Sequence, residues 1–283
     1  MNEIFAIDPN APQDLKDISA MLKQFGLEHG RFIAKFPNDW VNMLQVHVHQ
    51  LQGLDRARLT RLLELHKDAL LEVPDDFRRA KSWIENATAA KLRRQSISRI
   101  LAADMNDQGV ETLNHFLWED DSTDSSRGGH ISMSTDAYRR TVAPLFQQST
   151  EIHLVDSFFQ LRRANGELHR GRASVLREFL EQADESGRTE LFTIHFKREA
   201  HLTKVNQEDQ IDLDLNDLCE QAKIKKINVH YCVWDEMSHG RYVFSIKGGL
   251  QFDHGFEPLR EKTNHVHWLS KAELEPIIRK YIS

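Results

Sequence analysis

The chain is poor in cysteine: 283 residues contain two, Cys219 and Cys232, and no CxxC. That excludes a disulfide framework and a thiolate zinc site, and it fits a reducing compartment, so a cytoplasmic location is expected. No run approaches the roughly 20 uninterrupted apolar residues that a membrane span needs. Met1-Asn2-Glu3-Ile4-Phe5 has neither the basic start nor the apolar core of a signal peptide. Positive charge is not in excess either. The formal net charge is −6 and the charges are spread evenly, so contact with a polyanion must come from local clusters. A Walker loop, GxGxxG, GxSxG and HExxH are all missing, which removes the commonest NTPase, dinucleotide, serine-hydrolase and zinc-protease readings. No fixed-period repeat supports a solenoid.

What is there is an ordinary globular mixture, 40% apolar and 28% charged, long enough for two modest domains. Helical spacing of Leu15, Ile18, Met21, Leu22 and Phe25 predicts a helix stopped by Gly26. Arg31 to Phe36 reads as a short strand or an extended connection. Asn38 and Asp39 suit the cap of a helix through Trp40, Met43, Leu44 and Leu51, and Leu59, Leu62, Leu63, His66 and Leu70 continue the period. Pro74-Asp75-Asp76 is expected to open another helix, and Ser96 to Leu117 one more, broken near Gly109. Residues 1–118 are therefore expected to be a helical domain serving assembly or contact with partner proteins. Glu119 to Gly129 lacks any apolar side chain, and 119–137 reads as a linker or exposed loop.

Beyond it the texture changes. Helices are predicted over Tyr138–Gln148, Ser174–Ala183 and Leu213–Ala222, alternating with strands Glu151–Phe159, Glu190–Phe196 and Ile227–Trp234. A hairpin follows, Tyr242–Ile246 with Leu250–Phe252, turned at Lys247-Gly248-Gly249; then Val266–Leu269, and a helix capped by Ser270. The expected fold class is α+β overall: a helical N-terminal half, then an α/β domain over 138–283 with a mostly parallel sheet and an antiparallel hairpin.

In open α/β sheets ligands gather at the C-terminal ends of the strands. Asp156, His195 with Lys197, and Asp235 with Glu236 all fall at such predicted ends, with His239 and Arg241 next. In His239-Gly240-Arg241, alternation puts imidazole and guanidinium on one face of an extended segment, about 7 Å apart. Imidazole can act as nucleophile or base, and the guanidinium fork matches two phosphate oxygens. The same pair also suits a surface carboxylate such as Asp235.

Strand-end Asp156, in Ile-His-Leu-Val-Asp-Ser-Phe-Phe, and the run His239-Gly-Arg-Tyr-Val-Phe-Ser-Ile-Lys-Gly-Gly-Leu-Gln-Phe252 resemble a phospholipase D-like domain. The likeness covers about 138–283 and is to divergent single-copy versions, found in bacterial proteins and in the C-terminal domains of MIT proteins. Active members carry His-x-Lys, four residues, Asp, then Gly-Ser-x-Asn. Their His forms a covalent phosphohistidine, their Lys binds phosphate, and no metal or other cofactor is needed. On this resemblance His239 takes the nucleophile position and Arg241 the phosphate-binding one. The Asp position holds Ile246, and Gly248-Gly249-Leu250-Gln251 stands loosely for Gly-Ser-x-Asn. A single copy implies a homodimer if the site is catalytic. The resemblance implies a protein that binds or cleaves nucleic-acid phosphodiesters, in bacterial defence or DNA processing. A non-catalytic scaffold or adaptor with a degenerate phosphate- or protein-binding pocket is the alternative.

Other candidates are weaker. Arg162, Arg163, Arg170 and Arg172 fall in the stretch after Asp156 and can grip a polyanion backbone. Asp253-His254-Gly255 puts an acid and an imidazole across the hairpin from His239, or is plain turn chemistry. His195-Phe196-Lys197 repeats His-x-Lys without the Asp. The pairs His47/His49 and His265/His267 lack further ligands at recognisable spacing, so no metal is expected.

Overall fold

The fold is that of a computed structural model, which describes residues 2–52, 56–74, 76–94, 97–104, 109–118, 127–198 and 207–282. The chain divides into two compact units, residues 2–127 and 128–283.

The first unit runs β1 (Glu3–Ile7), α1 (Leu15–Lys23), β2 (Arg31–Lys35), α2 (Trp40–Gln52), α3 (Arg56–Leu65), β3 (Leu70–Glu72), α4 (Trp83–Arg94), β4 (Arg99–Ala102), β5 (Glu111–Thr112) and α5 (Leu113–Trp118). Its five strands pair in the order β3-β2-β1-β4-β5, all parallel. The expected helical half is thus corrected: helices are interspersed with strands, and the sheet is the centre of the unit. Leu70 belongs to a strand paired with Ile33, not to the preceding helix. The stretch 96–117 holds two strands and a short helix in place of one long helix. Residues 76–82 contain no helix; α4 starts at Trp83.

The physical reason lies in double-sided burial. Phe5, Ile7, Ile33 and Leu101 face a core that includes Ile18, Met21, Trp40, Leu44 and Phe116, while Ala6, Ala34, Ile100 and Ala102 face Trp83, Ala87 and Ala90. Strands covered on both sides lose polar alternation and read as short apolar runs, which periodicity cannot separate from buried helix. Local signals still place the helices. The Asp14 side chain accepts the Asp17 N–H at 2.8 Å and caps α1. Trp40 Nε1 donates to the Ile7 carbonyl at 2.6 Å, tying α2 to β1.

The second unit runs β6 (Gly128–Ser132), α6 (Thr135–Gln148), β7 (Glu151–Asp156), α7 (Arg170–Ser186), β8 (Leu191–Lys197), α8 (Gln207–Gln221), β9 (Asn228–Trp234), β10 (Arg241–Phe244), β11 (Gly249–Phe252), β12 (Thr263–Trp268) and α9 (Lys271–Tyr281). Seven strands pair in the order β6-β12-β11-β10-β7-β8-β9. Only β7, β8 and β9 are mutually parallel; the other four neighbouring pairs are antiparallel, so the sheet is mixed and not mostly parallel. Residues 128–132 of the segment expected as a linker form the edge strand β6, and 119–126 lie outside the described residues. Ser270 caps α9 through a capping box with Glu273, as its sequence suggests.

The join that matters for function is β10 against β7. β10 runs back along β7, with Arg241 opposite Asp156 and Phe244 opposite His153. The start of β10 therefore lies beside the C-terminal end of β7. Among the described residues no helix is long and apolar enough to cross a membrane.

Candidate functional site

Asp156, the last residue of β7, is 2% exposed. Its Oδ1 accepts the Phe158 N–H at 2.8 Å, closing the turn after the strand. Burial pushes the carboxyl above the usual carboxylate range, opposed by the backbone N–H of Phe158 and the charges of Arg241 and Arg172. Across the ladder, Arg241 Nη1 donates to the Asp253 carbonyl at 2.7 Å. Arg241 Nε forms an ion pair with Asp156 Oδ1 at 3.6 Å, too long for a hydrogen bond, so this buried donor has no hydrogen-bond partner. A buried donor that makes no hydrogen bond is costly unless a charge nearby offsets the loss.

Both residues open onto a cavity of about 280 Å³ that also takes Phe158, Arg172, His254, Glu257 and Lys262 in its lining. Arg172, in the first turn of α7, also donates to the Phe158 carbonyl. Three cations and an imidazole thus share one small space with two carboxylates. The walls are stiff. Asn264 is fully buried; its Oδ1 accepts the His254 N–H at 2.9 Å, and its Nδ2 donates to the His254 carbonyl at 2.9 Å and to the Tyr138 hydroxyl at 3.2 Å. The Tyr138 hydroxyl in turn donates to the Gly255 carbonyl at 3.2 Å. Gly255 is the close-approach point: a Cβ there would stand 3.1 Å from Asp156 Oδ2.

His239 is exposed and does not line this cavity; its ring stacks on Phe158, centroids 5.5 Å apart and planes 24° apart. The Arg241 guanidinium lies 5.2 Å from the centroid of the same ring. Gly240, between them, leaves room for the Tyr242 ring, whose hydroxyl would be 2.0 Å from a Cβ.

The other expected site residues separate. Of Arg162, Arg163, Arg170 and Arg172, Arg172 alone is in the cavity lining, and it and Arg170 lie in the first turn of α7 rather than in a loop. Arg162 is engaged elsewhere, gripping Asp214 with Nε at 2.9 Å from Oδ2 and Nη2 at 2.7 Å from Oδ1. Arg163 and Arg170 have exposed side chains outside the cavity. Asp235 is exposed and accepts from Arg198 Nε at 2.8 Å, so it is not the partner of Arg241. His254 joins the cavity, but none of Gly248 to Gln251 does, and Ile246 is 65% exposed near the hairpin turn. Phe158, Glu257 and Lys262 were not singled out by the sequence. Phe158 reads there as the tail of an apolar strand, and the other two as ordinary loop charges.

His195, expected at the strand edge, is instead 1% exposed in the sheet interior. Trp234 Nε1 donates to its Nδ1 at 2.9 Å, so the proton of neutral His195 sits on Nε2, 3.0 Å from His153 Nδ1. The His153 proton then falls on Nε2, 3.0 Å from Glu151 Oε1. Burial, helped by His153, pushes the His195 pKa down to about 3; burial also lowers that of His153, opposed by Glu151. This is a structural chain inside the sheet. A wider cleft of about 680 Å³ along β9 touches His153, His230, Cys219 and Cys232 but gathers no cations. Among the described residues, no group of three or more His, Cys, Asp or Glu is placed to hold a metal ion.

No family model and no curated protein matches the chain. A solved structure of an archaeal chromatin protein, described as showing a novel mode of DNA binding, is similar at a TM-score of 0.26 and 11% identity, over 83% of each chain. A likeness that loose carries no argument about either fold or function.

Proposed function

We propose that the 128–283 unit is a phospholipase D-like module that reads a nucleic-acid phosphodiester in the cavity at the end of β7 and the start of β10. The observation that carries this reading is the gathering of Arg241, Arg172, His254 and Lys262 on one cavity, where the buried Arg241 Nε makes no hydrogen bond. A phosphate oxygen would accept from the guanidinium and ammonium groups that line this space and balance their positive charge. A cytoplasmic setting in bacterial defence or DNA processing belongs to the same proposal.

In the catalytic form of the reading, the His239 imidazole attacks phosphorus. The bond to the leaving oxygen breaks, that oxygen takes a proton from the same histidine of a second copy, and water then hydrolyses the phosphohistidine. The exposed His239 leaves room for such a second copy. One observation favours the adaptor reading: Ile246 points a bare apolar side chain to solvent where active family members carry Asp.

The test incubates wild type and His239→Ala with labelled single- and double-stranded DNA and RNA in EDTA. Metal-independent cleavage that the variant loses supports the enzyme. Binding without cleavage in both leaves the phosphate-reading adaptor, and Arg241→Ala should then weaken binding at least ten-fold, about 1.4 kcal/mol. No binding by any form refutes both.

A further inference from the structure

We infer that Phe158 and His239 form a stacking platform for an unpaired nucleobase at the lip of the Arg241 cavity, so that the ligand is single-stranded nucleic acid. The inference rests on the phosphate reading above and adds the half of the ligand that a phosphate cavity cannot recognise.

Phe158 is 47% exposed at the lip of the cavity. It is not loosely held. Its N–H is fixed on Asp156 Oδ1 and its carbonyl accepts from Arg172, so the two residues that anchor its backbone also line the cavity. The ring itself borders the cavity, and His239 lies nearly flat against it with its own ring open to solvent. Arg241 touches the same phenyl ring, so one residue links the aromatic surface to the phosphate donors. Flat, solvent-facing π surface beside guanidinium groups is what an extended strand requires, because every unpaired base offers a π face next to a phosphate. A duplex keeps its bases stacked inside. A lipid phosphate has no base to stack.

The experiment measures fluorescence anisotropy with four probes: a labelled oligothymidylate, an abasic strand of equal length, a DNA duplex, and vesicles containing phosphatidic acid. The proteins are wild type, Phe158→Ala, Phe158→Trp and the double variant Arg172→Ala/Arg241→Ala, each checked for an unchanged melting profile. Wild type should bind oligothymidylate about 5- to 100-fold more tightly than the abasic strand, the range typical of one base–aromatic stack. Phe158→Ala should erase that preference, weakening oligothymidylate binding far more than abasic binding, and Phe158→Trp should keep it. Equal affinity for the two strands overturns the platform, as does a Phe158→Ala loss of less than two-fold. So does preference for the duplex or the vesicles. The phosphate reading fails separately, if the double arginine variant binds both strands as well as wild type.

Discussion

Lowering the pH from 7.5 to 5.0 should cost the 128–283 unit about 2 kcal/mol through His195 alone. Its pKa is held down to about 3 in the folded protein, against about 6.5 for an unfolded histidine. The unfolded chain therefore takes up a proton in the window between these values and the folded one does not. Stability from this group is complete above pH 6.5 and falls on acidification by about 1.4 kcal/mol per pH unit, until the folded pKa is reached. From 6.5 to 5.0 that amounts to about 2 kcal/mol. His153, lowered as well, adds to the loss in the same direction. Asp156 works the other way, because its raised carboxyl pKa favours the folded state once the pH enters the carboxylate range. For His195 the main cause is burial, and the geometry agrees: protonation would put a second hydrogen on a ring whose Nδ1 already faces the Trp234 N–H. The assay is urea unfolding at both pH values for wild type and His195→Phe, followed by tryptophan fluorescence, reading the transition that the substitution shifts. The variant should be less stable at pH 7.5, since Trp234 and His153 lose a partner, yet its pH slope should be shallower by about 2 kcal/mol across the interval. Slopes that agree within about 0.5 kcal/mol would refute the buried neutral histidine.

Three further outcomes follow from the same geometry. Asn264→Leu should cost about 2–4 kcal/mol in chemical denaturation, because both polar groups of the His254 backbone and the Tyr138 hydroxyl lose a buried partner; a loss under about 1 kcal/mol would contradict the clamp. Gly255→Ala should weaken oligonucleotide binding several-fold, with a smaller effect on melting, since its methyl must push against the Asp156 carboxyl at 3.1 Å; unchanged binding would show that the cavity wall yields. Arg162→Ala should lower stability by about 2–3 kcal/mol, by leaving Asp214, 4% exposed, without its forked partner. Its oligonucleotide affinity should stay at the wild-type value, and a loss matching that of Arg172→Ala would mean that the two arginines act together.

How much of this was legible beforehand depended on what each residue touches. The strands and helices of 138–283 could be read because polar connections punctuate them, and Ser270 and Lys247-Gly248-Gly249 carry capping and turn chemistry that acts locally. In residues 2–127 the sheet went unseen because Phe5, Ile33 and Leu101 face one core and Ala6, Ala34 and Ile100 another, which removes the alternation that marks a strand. His239, Arg241 and Asp156 could be found because their types and strand-end positions are visible in one dimension. Lys262 and Glu257 could not, since only the ladder from β10 through β12 brings their loop to Arg172. His195 already reads as a structural strand-end pair, since its His-x-Lys lacks the Asp; what the sequence could not give is the Trp234 N–H on its ring.

The antiparallel join of β10 to β7 also sets an order of assembly. The three parallel strands β7, β8 and β9 precede β10 in the chain, and a growing polypeptide can pair them before Arg241 has been made. The charge cluster cannot exist at that stage. It is completed when β10 docks along β7 and the connection between β11 and β12 brings in His254, Glu257 and Lys262. The residues of the proposed phosphate site are thus complete only once the hairpin has been made, and a nascent chain stopped short of it has Asp156 without Arg241 opposite.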